Sequence, residues 1–290
     1  ETSDEERARK ILDLTAKEEG LLLTSLFRRG VTILNLDDPQ IKTLKKDLKS
    51  NLIMVSTKDK KTDFFGNASL NGKFTINIHH KGEKHVLVLD QVLPIHFSTS
   101  ILLAIAVCES LGIKVEDSVK VLKDFSLPPG RFGIFAGIKN TAILDSSYNS
   151  SLIPALDALS LLSKMKAKRK VAIIGDMREL GTMSKMQHEA LAKKLAQTSD
   201  LAILIGPLTS EYVAPILKEA NINFYSFLTF SQSKNTIKRV IKPGDVILVK
   251  GSQNTLYLER VVEMLLKNKE DAKNLCRRGK FWDRKRKESP

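Results

Sequence analysis

Only two cysteines occur in the 290 residues, Cys108 and Cys276. Neither sits in a C-x-x-C pair or at zinc-ligand spacing, which argues against a disulfide scaffold and a cysteine-based zinc module. A reduced, cytoplasmic protein is the expectation. No apolar run reaches the roughly 20 residues that span a bilayer, so no membrane partner is expected. Glu1–Lys10 is charged and carries no apolar signal core. Aromatic residues make up 6% of the chain and are not interleaved with basic residues in the manner of RNA-recognition surfaces. No G-x-x-x-x-G-K-[ST] string occurs, so the sequence holds no phosphate-cradling loop of that type. Internal repeats and low-complexity segments are also missing.

What is present fits a globular chain with a real core: 42% hydrophobic and 28% charged residues. The length suits one large domain or two ordinary ones. The formal net charge is +14, and much of the excess lies at Arg277, Arg278, Lys280, Arg284, Lys285, Arg286 and Lys287. A terminal run of this kind reads as a solvated basic tail, residues 271–290. Nucleic acid is not the expected partner. A polyanion-binding module is the competing reading, and steeply salt-dependent binding would mark it.

Hydrophobic spacing organises the chain. Residues 1–28 read as a helix stopped by Gly30. Val31–Asn35 reads as a strand, Asp37-Asp38-Pro39 as a turn, Gln40–Lys49 as a helix and Leu52–Ser56 as a strand. From Asp63 to Leu93 the pattern alternates (Phe74, Ile76, Ile78, then Val86, Val88) around Gly82, a hairpin signal. Ser98–Leu111 predicts a buried helix closed by Gly112, and Val115–Phe125 a second. Pro128-Pro129-Gly130 breaks the chain, and a domain boundary is drawn after residue 129. Beyond it, strands at Thr141–Asp145, Lys170–Ile174, Leu201–Ile205, Asn223–Phe227 and Val246–Val249 alternate with helices at Leu152–Met165, Lys185–Gln197, Glu211–Glu219, Ser231–Ile241 and Leu256–Lys267. Such alternation predicts a doubly wound parallel sheet whose ligands gather at the carboxyl ends of the strands. Those ends carry Asp145, Gly175-Asp176, Gly206 and Lys250-Gly251-Ser252.

An ordered set of strings covers nearly the whole chain: Ala16-Lys17-Glu18-Glu19; Asn35-Leu36-Asp37-Asp38-Pro39; His96 before the apolar helix; Gly130-Arg131-Phe132; Asp145-Ser146-Ser147-Tyr148-Asn149; Gly175-Asp176-Met177-Arg178-Glu179-Leu180-Gly181; and Gly244 through Ser252. In this order and spacing the sequence resembles the Mur ligase family. The Ser-Tyr-Asn and G-D-M-x-E-L-G strings resemble the MurF-type branch, which joins D-Ala-D-Ala to UDP-N-acetylmuramoyl-tripeptide. Another Mur-type or folylpolyglutamate-type amide ligase, or a non-catalytic relative, is the alternative.

The resemblance implies an α/β fold. Residues 1–129 would be the latter part of a central ATP-binding domain, and 130–270 a Rossmann-like C-terminal domain. It implies ATP and Mg²⁺ as cofactors and an acyl-phosphate route to the amide, in which developing negative charge needs cationic partners. Lys17 matches a lysine that is carbamylated in the family and then holds a second Mg²⁺. Asn35, Asp37, His96, Arg131 and Asp145 match nucleotide-side positions, with Arg131 also catalytic. Tyr148, Asn149, Lys250 and Ser252 match the substrate side. A monomer is implied for the complete protein. The family's phosphate loop and UDP-binding domain would precede Glu1, and the chain by itself is expected to turn over no ATP. Two departures weaken the nucleotide side: Phe97 and Ser100 stand where the family has asparagines, the second of them near the adenine, and Ser146 stands where it has a second aspartate. Local structure offers plainer roles as well. Asn35–Asp38 can cap the next helix, Asp145 can cap the helix after it, Arg131 can bridge domains, Lys17 can be a solvated helix lysine, and His188 reads as a structural helix residue.

Overall fold

A sheet organises each of the two units into which the chain divides, Glu1–Ser126 and Leu127–Pro290. The computed structural model describes residues 4–252 and 255–289. The division falls one residue before the Pro-Pro-Gly break.

The first unit begins with α1 (Asp4–Thr24), β1 (Val31–Asn35), α2 (Pro39–Leu44) and β2 (Asn51–Ser56). The segment expected to be a single hairpin is a three-stranded meander: β3 (Phe64–Asn71), β4 (Lys73–His80) and β5 (Glu83–Leu89). Strand β3 lacks alternation because its first three residues, Phe64, Phe65 and Gly66, are all buried. Gly66 lies against α3 (Phe97–Ser110). A Cβ there would sit 2.8 Å from Leu102 Cδ2. The sheet runs β1-β2-β3-β4-β5, parallel through β3 and antiparallel after it. Phe64, Phe74, Ile76, Ile78, Leu87, Leu102 and Ile105 are fully buried. Helix α4 (Val115–Leu122) packs on the edge strand β5. The apolar stripe of α1 behaves otherwise: Ile11, Leu12, Leu14, Leu21 and Leu22 are exposed. That helix touches α2, where Gly20 admits Leu44.

The second unit follows the expected alternation and adds an edge strand. Its elements are β6 (Gly133–Gly137), β7 (Thr141–Ser146), α5 (Leu152–Lys164), β8 (Arg169–Gly175), α6 (Ser184–Thr198), β9 (Leu201–Ile205), α7 (Ala214–Glu219), β10 (Phe224–Phe227), α8 (Phe230–Val240), β11 (Asp245–Lys250) and α9 (Glu259–Leu265). A π-helical turn, Thr209–Val213, leads into α7. The sheet order is β10-β9-β8-β11-β7-β6, parallel except for β6. Strand β11 returns between β8 and β7, so its carboxyl end is flanked by theirs. No helix among the described residues is long and apolar enough to cross a membrane.

The basic tail is the main correction. Residues Lys269–Asn274 form a 3₁₀ segment and Lys280–Glu288 form α10. Between them Leu275, Cys276 and Arg277 are buried. Acidic residues on α9 draw the segment in: Arg277 pairs with Glu259, and Arg278 and Arg286 with Glu263. The helix expected from Leu256 starts three residues later, at Glu259.

Candidate active site

The site residues expected in the second unit converge at the carboxyl ends of β7 and β11. Asp145 is fully buried near the end of β7. Its Oδ1 accepts the Ser147 amide at 3.0 Å, closing an Asx turn that lifts Ser147–Ser150 out of the strand. It does not cap α5, whose N-cap is Ser151. Its Oδ2 is buried and has no hydrogen-bond partner among the described residues. Burial raises the Asp145 pKa, partly offset by Ser147 and by Arg277 and Arg278. A carboxyl group with a spare buried oxygen is an acceptor in search of a donor.

Lys250 closes the facing strand. Its side chain is buried, donates to the Asn149 carbonyl at 2.9 Å and lies 3.4 Å from Ser146 Oγ. Burial, helped by the positive charge of Arg131, lowers its pKa to about 8, against the pull of Asp145 and Asp157. Ser252 continues the frame. Its hydroxyl donates to the Ser150 carbonyl at 3.0 Å and accepts the Arg178 amide at 2.9 Å. The two hydroxyl bonds therefore tie the loops after β7, β8 and β11 to one another.

Tyr148 and Arg131 stack, with the exposed guanidinium of Arg131 4.6 Å from the ring centroid. Gly130 makes this approach possible. It has φ +77°, accepts the Tyr148 amide through its carbonyl, and a Cβ there would meet Cys276 Sγ at 2.9 Å. Arg277 supports the loop from behind. It donates to the carbonyls of Ser147 and Tyr148 and to Glu259 Oε2 at 2.9 Å. Sequence reasoning missed Arg277, Glu259 and Cys276, because a lone arginine inside a basic run carries no burial signal.

Asp176 and His188 have structural duties and do not bond each other. Asp176 accepts from the Thr209 amide (2.8 Å) and hydroxyl (3.0 Å) and from the Leu208 amide (3.2 Å), capping the π-helical turn. His188 Nε2 accepts the Met177 amide at 3.1 Å, and Nδ1 meets the Ser184 carbonyl at 2.8 Å. Nε2 thus holds the loop after β8, while Nδ1 is bonded within the first turn of α6.

The candidates in the first unit occupy separate places. Asn35 and Asp37 share the turn after β1, where Asn35 Oδ1 accepts the Asp37 amide at 3.1 Å. Asp37 accepts the Thr57 amide at 2.8 Å and hydroxyls from Ser56 and Thr57. Partial burial raises the Asp37 pKa, but the Ser56 and Thr57 bonds and Lys58 win and hold it below the usual value. Asp38 caps α2, with Pro39 at its first turn. Lys17 is exposed on α1 and lines a groove with Asp13, Gly20, Gln40 and Thr43. His96 stands at the N-cap of α3 with its ring against Phe97.

Comparison with known proteins agrees with this architecture. Residues 130–253 match the family model "Mur ligase, glutamate ligase domain". The UDP-N-acetylmuramoyl-tripeptide–D-alanyl-D-alanine ligase of Buchnera aphidicola is 29% identical over 267 residues, covering 90% of this chain and 56% of that protein. The Escherichia coli ligase of the same name is 27% identical over 267 residues, covering 87% and 56%. The chain spans about half the length of the curated relatives it matches, from 38% of the Treponema pallidum ligase to 56% of the Buchnera one. Among solved structures, MurF ligase from Thermotoga maritima in complex with ADP superposes with a TM-score of 0.69 at 20% identity, covering 87% of this chain and 55% of that one. A MurF from Acinetobacter baumannii gives 0.73 at 20%, covering 86% and 55%. The fold is shared with these enzymes. Residues 130–253 thus resemble a Mur ligase glutamate ligase domain, and most of the chain is similar to D-alanyl-D-alanine-adding ligases of the Mur type.

Proposed function

We propose that this chain supplies the nucleotide-side and dipeptide-side surfaces of an ATP-dependent amide ligase, one that adds D-Ala-D-Ala to UDP-N-acetylmuramoyl-tripeptide in cell-wall synthesis. One observation carries the reading. Buried Asp145 and Lys250, with Tyr148, Asn149 and Ser252, meet at adjacent strand ends of a parallel sheet, where such folds bind ligands. The MurF-type relatives favour D-Ala-D-Ala over other amine substrates.

In this reading Lys250 presents a positive charge to a substrate carboxylate or phosphate. At pH below its pKa of about 8 the ammonium is charged, and its hydrogen bond to Asn149 fixes where the charge sits. Arg131, exposed and stacked on Tyr148, binds nucleotide phosphate by the same attraction. The spare oxygen of Asp145 accepts a hydroxyl from ribose or substrate once the loop after β7 moves aside. ATP, when bound, supplies the phosphoryl group that activates the peptide carboxylate. The donor set for Mg²⁺ is poorer. Among the described residues Asp13 is the one carboxylate lining the Lys17 groove, so a metal there depends on carbamylation of Lys17.

The 290 residues hold no G-x-x-x-x-G-K-[ST] loop. The purified chain, given tripeptide substrate, D-Ala-D-Ala, ATP and Mg²⁺, is therefore expected to release no ADP. Steady ADP release would overturn the division of labour proposed. Calorimetric titration with D-Ala-D-Ala, meso-diaminopimelate and lysine tests the specificity, and preference for either single amino acid would move the chain to another branch.

A further inference from the structure

The edge strand β5 and helix α4 of the first unit bring together three side chains that the ligase reading does not use. Glu83 and His85 are two residues apart on β5 and so share a face of the sheet. It is the face on which Leu87 and Leu89 are buried. Glu116 stands in the first turn of α4, which packs on β5. One ligand atom from each residue lies within 4.8 Å of the others. The His85 side chain is nine-tenths buried, at 10% exposure. Its Nε2 is fully buried and makes no hydrogen bond among the described residues, although Glu83 Oε2 lies 3.4 Å away. Nδ1 lies 4.0 Å from Glu116 Oε1. The carboxylates themselves are 69% and 52% exposed.

We propose that Glu83, His85 and Glu116 form a site for one divalent cation of the zinc class, which clamps α4 to the edge strand. A buried nitrogen without a partner is unfavourable, and a metal ion would satisfy it. Two carboxylates supply the opposite charge. One imidazole with two carboxylates suits zinc and its neighbours better than magnesium, which demands an octahedron of oxygens. Zinc bonds of about 2.0–2.2 Å place tetrahedral donors roughly 3.3–3.5 Å apart. The Glu83–His85 separation of 3.4 Å already fits, no separation exceeds 4.8 Å, and rotation of the two exposed glutamates can close the remaining gap on the fixed ring. Three protein ligands leave a fourth position for water. The ion takes no part in the ligase reading; it fixes the helix to the sheet.

Titration of ZnCl₂ into the metal-stripped 290-residue chain, followed by calorimetry, tests the proposal. One saturable site is expected, unaffected by excess MgCl₂. Glu116→Gln alters an exposed carboxylate and leaves the core intact. It and His85→Ala are each expected to weaken zinc binding by more than the roughly 10–100-fold that outer-shell changes cost. Bound Co²⁺ should show visible absorption that His85→Ala abolishes. If circular dichroism shows His85→Ala to be unfolded, Glu83→Gln and Glu116→Gln decide the matter. No saturable binding would mean the three groups are only a histidine–glutamate ion-pair cluster. Affinity unchanged in the Gln variants would place zinc on another histidine or a cysteine. Either result overturns the site.

Discussion

Arg277→Met is the perturbation whose cost the structure specifies best. The Arg277 side chain is 3% exposed and that of Glu259 is 0% exposed, with Nη1 and Oε2 2.9 Å apart. The same guanidinium donates to the carbonyls of Ser147 and Tyr148. Methionine keeps most of the volume and removes the charge. Glu259 is then buried without its cation, which costs about 3–5 kcal/mol in comparable pairs. For a unit of this size each kcal/mol moves the midpoint roughly 2–4 °C, so a fall of about 6–20 °C is expected in thermal unfolding. The pH dependence gives a second check. Burial raises the Glu259 pKa above its ordinary 4.5, and Arg277 is the largest influence pulling it back. An acid whose folded pKa is raised weakens folding as pH climbs from the unfolded value to the folded one, because the unfolded state ionises first. Removing Arg277 raises the folded value further. The deficit of Arg277→Met should therefore shrink as pH falls toward 4.5 and grow above it. The double variant Arg277→Met/Glu259→Leu should recover much of the loss, since an apolar pair of similar volume is tolerated where a lone charge is not. A single variant within about 1 kcal/mol of the parent in urea titrations, or a double variant no better than the single, would refute this reasoning.

Other outcomes follow from the same geometry. Asp176→Ala removes an acceptor shared by Leu208, Thr209 and the Thr209 hydroxyl, so a loss of about 1–3 kcal/mol in urea titration is expected. Gly66→Ala puts a Cβ 2.8 Å from Leu102 Cδ2 in a filled core, and overpacking of this kind costs about 1–3 kcal/mol. Cys276 is buried, and that burial pushes its thiol up to about 11; in the native chain Cys108, which is partly accessible, should react with a thiol reagent well before Cys276 does. Lys250 loses its proton at about 8 in the fold, so binding of an anionic ligand that needs its charge should weaken as pH rises through 8, and Lys250→Met should flatten that profile.

The second unit was legible because a parallel sheet buries its strands on both faces, leaving short β-branched runs between helices. Thr141–Asp145, Lys170–Ile174, Leu201–Ile205 and Val246–Val249 all read this way. Strand β6 was not legible: Gly133-Ile134-Phe135-Ala136-Gly137 alternates weakly and has glycine at both ends, and only pairing with β7 makes it a strand. Strand β3 hid for a different reason, since Phe64 and Phe65 are buried side by side and break the two-residue period. At the site, motif order brought Asp145, Tyr148, Asn149, Lys250 and Ser252 into view. The support behind them was invisible, because Glu259 and Arg277 become partners only when the segment after α9 folds back on it. Charge composition likewise suggested a solvated tail, and the acidic residues of α9 that pull it in are distributed too sparsely to register as a motif.

Backbone NMR of the 290-residue chain, titrated separately with D-Ala-D-Ala and with ADP, addresses the central claim most directly. The account expects saturable shifts confined to the strand-end loops, residues 145–150 and 250–252, with Arg131 responding to ADP and with Lys250→Met weakening the dipeptide response. Shifts absent from those loops at saturating ligand, or concentrated elsewhere in the chain, would contradict it.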